Sequence, residues 1–319
     1  MIILRLILFY FTLSCFVSGS DLLSIGFWNI ENLFDLENDP NKRDDEFSIG
    51  GKKNVTSDIY ELKIKRSVEV LTDLNVDILG LCEVENISVL SDLKNSYKGR
   101  DYNIIHFDSP DERGIDNALL YDQNKFSILV SKPIENKLRG NDKTRDILYV
   151  KGTFLDVTLH IFVNHWPSNY GGKQRAIPKR KSTADLLMSQ IKTIQKNDKL
   201  AEIILIGDFN EDPSDDNVKI LEKLGFINQM SSLMGENGKG TYVYRGKDYF
   251  YDQIIISEGL NTNQGLHVVN ESIYILDKPK YRQQAGKYKH YPFRFWAGNS
   301  LLGGYSDHLA TKIVLRKMK

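Results

Sequence analysis

Several acids, amides and imidazoles in this sequence stand at the ends of apolar runs, where a sheet would deliver them to a shared rim. Gly207-Asp208-Phe209-Asn210 follows Ile203-Ile204-Leu205-Ile206. In extended chain, positions two apart share a face, so Asp208 and Asn210 can aim at one point while Phe209 packs behind. A carboxylate beside an amide oxygen suits a hard divalent cation, which prefers oxygen ligands. The same residues also suit an Asx turn that opens the next loop. Glu83 directly follows Ile78-Leu79-Gly80-Leu81-Cys82. An acid there is either a cap or turn residue or a metal ligand. Asn29 and Glu31 end another apolar stretch.

Imidazoles recur at similar corners. Asn164-His165-Trp166-Pro167-Ser168 closes an alternating run, where Pro167 halts a ladder and Trp166 can wall a pocket. A histidine so placed is either a general acid or base, or an anchor for the loop. Tyr305-Ser306-Asp307-His308 repeats the pairing of an acid with an imidazole, and Tyr251-Asp252-Gln253 opens a strand with a carboxylate. His106, His160, His267 and His290 carry no such neighbours and read as structural or surface residues. Oxygen donors of this kind can hold a divalent cation that neutralises developing negative charge. A carboxylate or imidazole beside it can take the proton of an attacking water. An imidazole held by a carboxylate has a fixed tautomer and a raised pKa.

The elements that must position these groups alternate between strand-like and helix-like runs. Leu22 to Ile30 reads as a strand, and Asp35 to Asn54 as a long polar loop. Tyr60, Ile64, Val68, Leu71 and Leu74 recur at helical spacing. Asp77 to Val84 is a buried strand, with shorter ones near Ile104, Leu119 and Ile128. Val157 to Val163 alternates with the period of a half-buried strand. Ala184 to Ile194 gives a second helix, and Asp215 can cap a third through Leu224. Ile203 to Ile206, Asp252 to Ser257 and Leu309 to Leu315 complete the strands. Many short strands with a few long amphipathic helices predict helices layered over packed sheets.

The 319 residues include 42 basic and 42 acidic side chains, so the formal net charge is zero. That excludes the global basic footprint of a histone-like DNA binder and leaves any nucleic-acid contact to local patches. A hydrophobic fraction of 41% excludes a wholly disordered chain. The two cysteines, Cys15 and Cys82, exclude a disulfide scaffold and a multi-cysteine zinc module. Met1 to Val17 is apolar apart from Arg5 and precedes Ser18-Gly19-Ser20, the layout of a secretory signal peptide. We therefore expect a leader at residues 1–20, a single domain over 21–319, and a secreted or periplasmic product. An uncleaved anchor, or a lipid anchor at Cys15, is the less favoured reading. No other segment reads as membrane-spanning. Cys82 reads as a small core residue.

Taken together the motifs resemble the endonuclease/exonuclease/phosphatase superfamily, the family of pancreatic deoxyribonuclease, in a secreted bacterial branch. The resemblance runs from about Leu22 to Leu315. Its pieces occur in family order: Phe27-Trp28-Asn29-Ile30-Glu31-Asn32-Leu33-Phe34, then Gly80-Leu81-Cys82-Glu83-Val84-Glu85-Asn86. Arg113-Gly114-Ile115-Asp116-Asn117-Ala118, Thr144-Arg145-Asp146-Ile147 and the His165 corner follow, before the segments around Asp208, Asp252 and Asp307-His308. Each is weak alone, and their order is what carries the signal. The resemblance implies an α/β (α+β) fold: a four-layer α/β/β/α sandwich with two mixed sheets face to face and helices outside. It implies that Glu83 binds Mg2+, with Mn2+ or Ca2+ as alternatives, beside Asn29 and with Asp307 joining. Asp208 and Asn210 would align the attacking water and hold the scissile phosphate. His308 paired with Asp252, and His165 paired with Asp116, would flank it, and Arg145 would reach phosphate oxygens. We favour Asp208 with His308 on the water side and His165 near the leaving group. Cys82 departs from the glutamine common at that point in the family.

Two basic stretches are candidate substrate contacts. Lys173 to Lys181 follows a flexible Tyr170-Gly171-Gly172 entry, and Lys278 to Trp296 interleaves cations with aromatics, as nucleic-acid contacts do. The acidic loop Asp44-Asp45-Glu46 reads as solvated, with a calcium site the alternative. The leading expectation is a secreted Mg2+-dependent phosphodiesterase acting on nucleic acid, monomeric and without a stable protein partner. A phosphomonoesterase or lipid phosphodiesterase on the same fold is the alternative, and a non-catalytic binding module is a third.

Overall fold

Apolar runs bounded by polar corners become two large sheets in the computed structural model, which describes residues 21–138, 140, 142–235 and 240–319. The leader read at 1–20 lies outside the described residues. In chain order the strands are β1 (Leu22–Leu33), β2 (Ile78–Val84), β3 (Tyr102–His106), β4 (Asp116–Asp122), β5 (Phe126–Ile134) and β6 (Ile147–Phe154). They continue as β7 (Val157–His165), β8 (Ile203–Asp208), β9 (Ile227–Asn228), β10 (Tyr242–Tyr244), β11 (Lys247–Tyr249) and β12 (Asp252–Ile256). Last come β13 (Leu266–Val268), β14 (Tyr274–Ile275), β15 (Trp296–Ala297), β16 (Ser300–Leu301) and β17 (Thr311–Lys317). The helices are α1 (Ser57–Leu74), α2 (Ile87–Ser96), α3 (Lys173–Asn197) and the short α4 (Asp216–Lys219).

One sheet runs β13-β17-β1-β2-β4-β3, with β14 also on β17, and the other runs β5-β6-β7-β8-β12-β9. Both are mixed. β1 lies parallel to β2 and antiparallel to β17, while β7 lies parallel to β8 and β12 antiparallel to it. Their facing sides share one apolar layer, in which Ile25, Phe27 and Leu119 meet Val163, Ile206 and Ile254. Gly80 marks a close approach, since a Cβ there would stand 2.7 Å from Ile206 Cδ1. Cys82 is fully buried in the same layer, as its apolar neighbours predict. Outside, Ile64 and Leu71 of α1 and Leu90 of α2 cover the first sheet, and Leu187 and Ile191 of α3 cover the second. This is the four-layer α/β/β/α sandwich that the motif order implies.

The differences have local causes. β7 is buried on both faces, not one, because α3 lies across it. His160 therefore sits inside, with the Tyr149 hydroxyl 2.8 Å from its Nδ1. α3 begins at Lys173 and runs through Pro178, so the basic stretch Lys173 to Lys181 is helix, while Tyr170-Gly171-Gly172 precedes it. α2 is only ten residues long, too short for its buried Val89, Leu90 and Leu93 to show a period in the sequence; Asn86 caps it by accepting from the Ser88 and Val89 N–H groups. The third helix shortens to α4 and a 3-10 turn that stops at Gly225, where φ is +77°. The acidic loop is not simply solvated: Asp44 is buried, and Phe47 stacks on Phe34 at 4.3 Å. No described helix is long and apolar enough to cross a membrane.

Glu202, just before β8, accepts from the Leu266 N–H at 2.8 Å. Burial pushes its carboxyl up to about 7, against the opposing pull of that N–H. The folded chain thus holds the proton to higher pH than the unfolded chain. Its stabilising contribution is complete below the ordinary value of 4.5 and fades as pH rises through about 7. The group is partly exposed, so solvent screening limits the effect to about 1 kcal/mol. Glu202→Gln should flatten urea-unfolding stability between acid and neutral pH, and an unchanged pH slope would exclude this assignment.

Candidate active site

Two irregularities in the first sheet aim its acids. The β1–β2 register shifts between Asn29 and Leu33, and the β2–β4 register shifts between Cys82 and Val84. Bulges of this kind bend a strand and redirect a side chain. Glu31, Asn32 and Glu83 adopt left-handed backbone with φ of +57°, +56° and +62°. Such conformations cost a non-glycine residue and persist only where the surroundings impose them. Here they bring Glu83 into a cleft of about 540 Å³ beside Asn29. The Asn32 N–H donates to Glu83 Oε2 at 3.1 Å.

The second sheet supplies the facing wall. Its register sets Asp252 of β12 opposite Asp208 of β8, and His165 of β7 opposite Asp208 on the other side. Asp208 Oδ1 accepts from the Asn210 N–H at 2.9 Å, while Oδ2 accepts from Asn29 Nδ2 at 3.2 Å. Asp208 therefore makes the Asx turn and faces the cleft at once. Asn210, at φ +51°, donates from Nδ2 to the Trp166 carbonyl at 3.0 Å, and Phe209 packs behind on Trp166. His308 Nδ1 stands 2.7 Å from Asp252 Oδ2, and His308 Nε2 stands 3.9 Å from Asp208 Oδ2. His165 Nε2 lies 3.7 Å from Asp208 Oδ2 and 3.9 Å from Glu83 Oε1.

Their surroundings push the two imidazoles in opposite directions. Burial alone would push the His308 imidazolium down, but the charges of Asp252 and Asp208 hold it well above the ordinary histidine value. Burial also pushes His165 down, and the cations Arg145 and Arg113 add to that, so it stays neutral. Its Nδ1 is buried without a hydrogen-bond partner. Asp208 is raised to about 7 by burial, with His308 pulling it down and Asp252 pushing it up. A cleft that holds one neutral and one cationic imidazole against a basic carboxylate can accept a proton at one point and donate a hydrogen bond at another.

Some sequence expectations land elsewhere. Asp116 does not pair with His165. The β3–β4 register sets His106 opposite Ala118, two residues along β4 from Asp116, and His106 Nε2 lies 3.0 Å from Asp116 Oδ2. The Ser109 N–H donates to the other oxygen at 2.8 Å, so His106 and Asp116 form a structural corner. Arg145 is buried and does not line the cleft. Its guanidinium donates to Asp111 Oδ2 at 3.2 Å and to the Trp166 carbonyl at 2.9 Å. Trp166 is core, not a pocket wall. Asp307 does line the cleft, with Oδ2 accepting from Arg294 at 2.9 Å. Of the first basic stretch only Lys173 reaches the cleft, because Lys179 and Lys181 pair with Asp142 and Asp185.

The tyrosines of the cleft were not read from the sequence as site residues. Tyr242, Tyr249 and Tyr251 line the cleft, and Tyr242 stacks on the His308 ring at 4.7 Å. The hairpin of β10 and β11 that carries two of them is too short to show a period. Glu31 turns away from the cleft and accepts from the Phe295 and Trp296 N–H groups at 2.6 and 3.1 Å. Buried Lys63 reaches the Ile30 and Tyr305 carbonyls behind it.

The donors around Glu83 fit a hard divalent cation. Asn29, Glu83 and Asp307 offer only oxygen, and Glu83 Oε1 makes no hydrogen bond while Oε2 is anchored. Oxygen donors, a high-pKa carboxylate and a carboxylate-held imidazole, gathered where the rims of the two sheets face each other, are the equipment of a metal-dependent phosphoric ester hydrolase. The model of the Endonuclease/Exonuclease/phosphatase family matches residues 24–317, and the chain belongs to that family. Among solved structures, D. rerio TDP2 complexed with single-strand DNA product is similar at TM-score 0.59 and 15% identity, over 93% of this chain and 99% of that one. The human Nocturnin catalytic domain with bound sulfate is similar at TM-score 0.57 and 17% identity, over 92% and 94%. A Bacteroides thetaiotaomicron endonuclease/exonuclease/phosphatase family protein is similar at TM-score 0.56 and 17% identity, over 93% and 95%. No curated protein matches in sequence.

Proposed function

We propose that this protein is an exported, Mg2+-dependent phosphodiesterase that cuts nucleic acid by in-line attack of water. The observation that supports it most is the convergence of two imidazoles on Asp208 Oδ2, with His308 Nε2 at 3.9 Å and His165 Nε2 at 3.7 Å, and with Asp252 Oδ2 2.7 Å from His308 Nδ1. Glu83, Asn29 and Asp307 would hold the metal, which supplies charge neutralisation on the phosphate and the leaving oxygen. Asp208 takes the proton of the attacking water. Asn210, anchored through Nδ2, leaves its amide oxygen to orient that water. His308 donates a hydrogen bond to a non-bridging phosphate oxygen, and His165 stands on the leaving-group side. The single-strand DNA product in the D. rerio TDP2 structure supports a nucleic acid over other phosphoric esters. Export, a single catalytic domain over 21–319 and a monomeric state rest on the sequence.

The test uses mature protein with supercoiled plasmid and Mg2+, with EDTA in parallel, and Asn210→Ala and His308→Ala as controls. Metal-dependent nicking lost in both variants is expected. An intact plasmid beside turnover of inositol phosphates or sphingomyelin would move the substrate to another ester on the same residues. Glu83→Gln should raise the Mg2+ concentration needed for half-maximal rate by at least tenfold, and an unchanged metal titration would remove Glu83 from the metal site.

A further inference from the structure

A second groove of about 850 Å³ opens beside the catalytic cleft and shares Tyr242, Tyr244 and Asp307 with it. Its far wall comes from the segment after β14, with Lys287, Tyr288 and Tyr291. The rings here are available: Tyr244 is 49% exposed and Tyr288 is 50% exposed. Tyr291 is fixed, meeting Tyr288 edge-on at 5.4 Å and accepting from the Gly246 N–H. Cations lie close to the two exposed faces, Arg245 at 5.3 Å from the Tyr244 ring and Lys287 at 5.4 Å from Tyr288.

The basic residues on this wall and in the segment that leads to it divide into two sets. Lys278 and Lys280 are committed to Asp73, and Arg294 to Glu31 and Asp307. Among the described residues, Arg245 and Lys287 make no ion pair. A groove lined by exposed aromatic faces and uncommitted cations, continuous with a phosphate-cutting cleft, fits a chain of alternating bases and phosphates. Stacking on a tyrosine face requires a base that is not already stacked and paired in a duplex. We propose that this groove holds the unpaired strand that continues from the scissile phosphate, so that the enzyme prefers single-stranded over duplex nucleic acid. This rests on the nucleic-acid reading above and adds the strandedness of the substrate.

The experiment separates groove from chemistry. Binding of a fluorescein-labelled thymidine dodecamer, and of a hairpin duplex of equal length, is followed by anisotropy in EDTA. Hydrolysis of the dodecamer and of bis(p-nitrophenyl) phosphate, which is too short to reach from the catalytic cleft into the groove, is followed with Mg2+. The single strand should bind at least tenfold more tightly than the duplex. Tyr288→Ala should weaken single-strand binding and kcat/KM on the dodecamer by roughly tenfold to a hundredfold, and Tyr288→Phe should restore both. Lys287→Ala should reduce the salt dependence of binding by about one phosphate contact. Hydrolysis of the small ester should not change in these variants. Equal affinity for strand and duplex, or full single-strand affinity in Tyr288→Ala, would overturn the proposal. Selective single-strand binding without hydrolysis of any ester would overturn the proposed chemistry and leave the groove standing.

Discussion

Asp252→Asn should cost about three orders of magnitude in rate while leaving the fold intact, on the scale of losing an electrostatic or acid–base partner in a buried site. The substitution keeps the shape but removes the charge that sits 2.7 Å from His308 Nδ1. Burial then acts on His308 with only Asp208 and Asp307 left to oppose it, so its pKa falls. The sign follows from the role. If the imidazolium is the active form, activity is lost as pH rises through the His308 pKa. The variant's descending limb should therefore move to lower pH. A variant with the parental profile and rate would mean that His308 works without its carboxylate partner. A variant that is slow at every pH with an unmoved limb would mean that Asp252 holds the ring in place without setting its charge.

Arg180→Met should destabilise the protein by about 3–5 kcal/mol, the scale of leaving a buried charge without its partner. Arg180 has no exposed surface, and its Nε lies 2.8 Å from Glu211 Oε1. Its Nη1 also donates to the Pro167 carbonyl at 2.9 Å and to Asn169 Oδ1 at 3.1 Å. The guanidinium thus ties α3 to the loop after His165 and to the loop after Asn210. Replacing both partners, as Arg180→Met with Glu211→Leu, should cost less than Arg180→Met alone, because the orphaned carboxylate disappears. Denaturant unfolding of the two single variants and the double variant checks this. A single variant within 1 kcal/mol of the parent would show that the pair contributes little beyond shape.

The sequence carried the site further than it carried the segments between motifs. Glu83, Asp208 and Asn210 were legible because each closes or follows a strand whose apolar run is visible, and His308 because it stands just before one; a strand end can deliver a side chain only to a rim. What a strand cannot announce is its partner's register. His106 and Asp116 meet because β3 and β4 align across the nine residues between them, and nothing local forecasts that offset. The same holds for Arg145 and Arg180, which looked like cations for substrate and instead bind carbonyls and acids inside the protein. A charge run shows its composition but not which members turn inward. The left-handed turns at Glu31, Asn32 and Glu83 are equally silent, since no glycine marks them.

Cys82 now bears on how this protein could be watched coming apart. It lies between the two sheets with no exposed surface, and burial first, then Asp208 and Glu83, keep its thiol well above its ordinary pKa. If the leader takes Cys15 with it, the mature chain has a single sulfhydryl, one residue from a metal-site candidate. Its alkylation rate is then a clock for separation of the sheets, because it is fully buried in the apolar layer that joins them. Mg2+ should slow that clock in proportion to its occupancy beside Glu83, so a thiol reagent reads metal binding without any substrate.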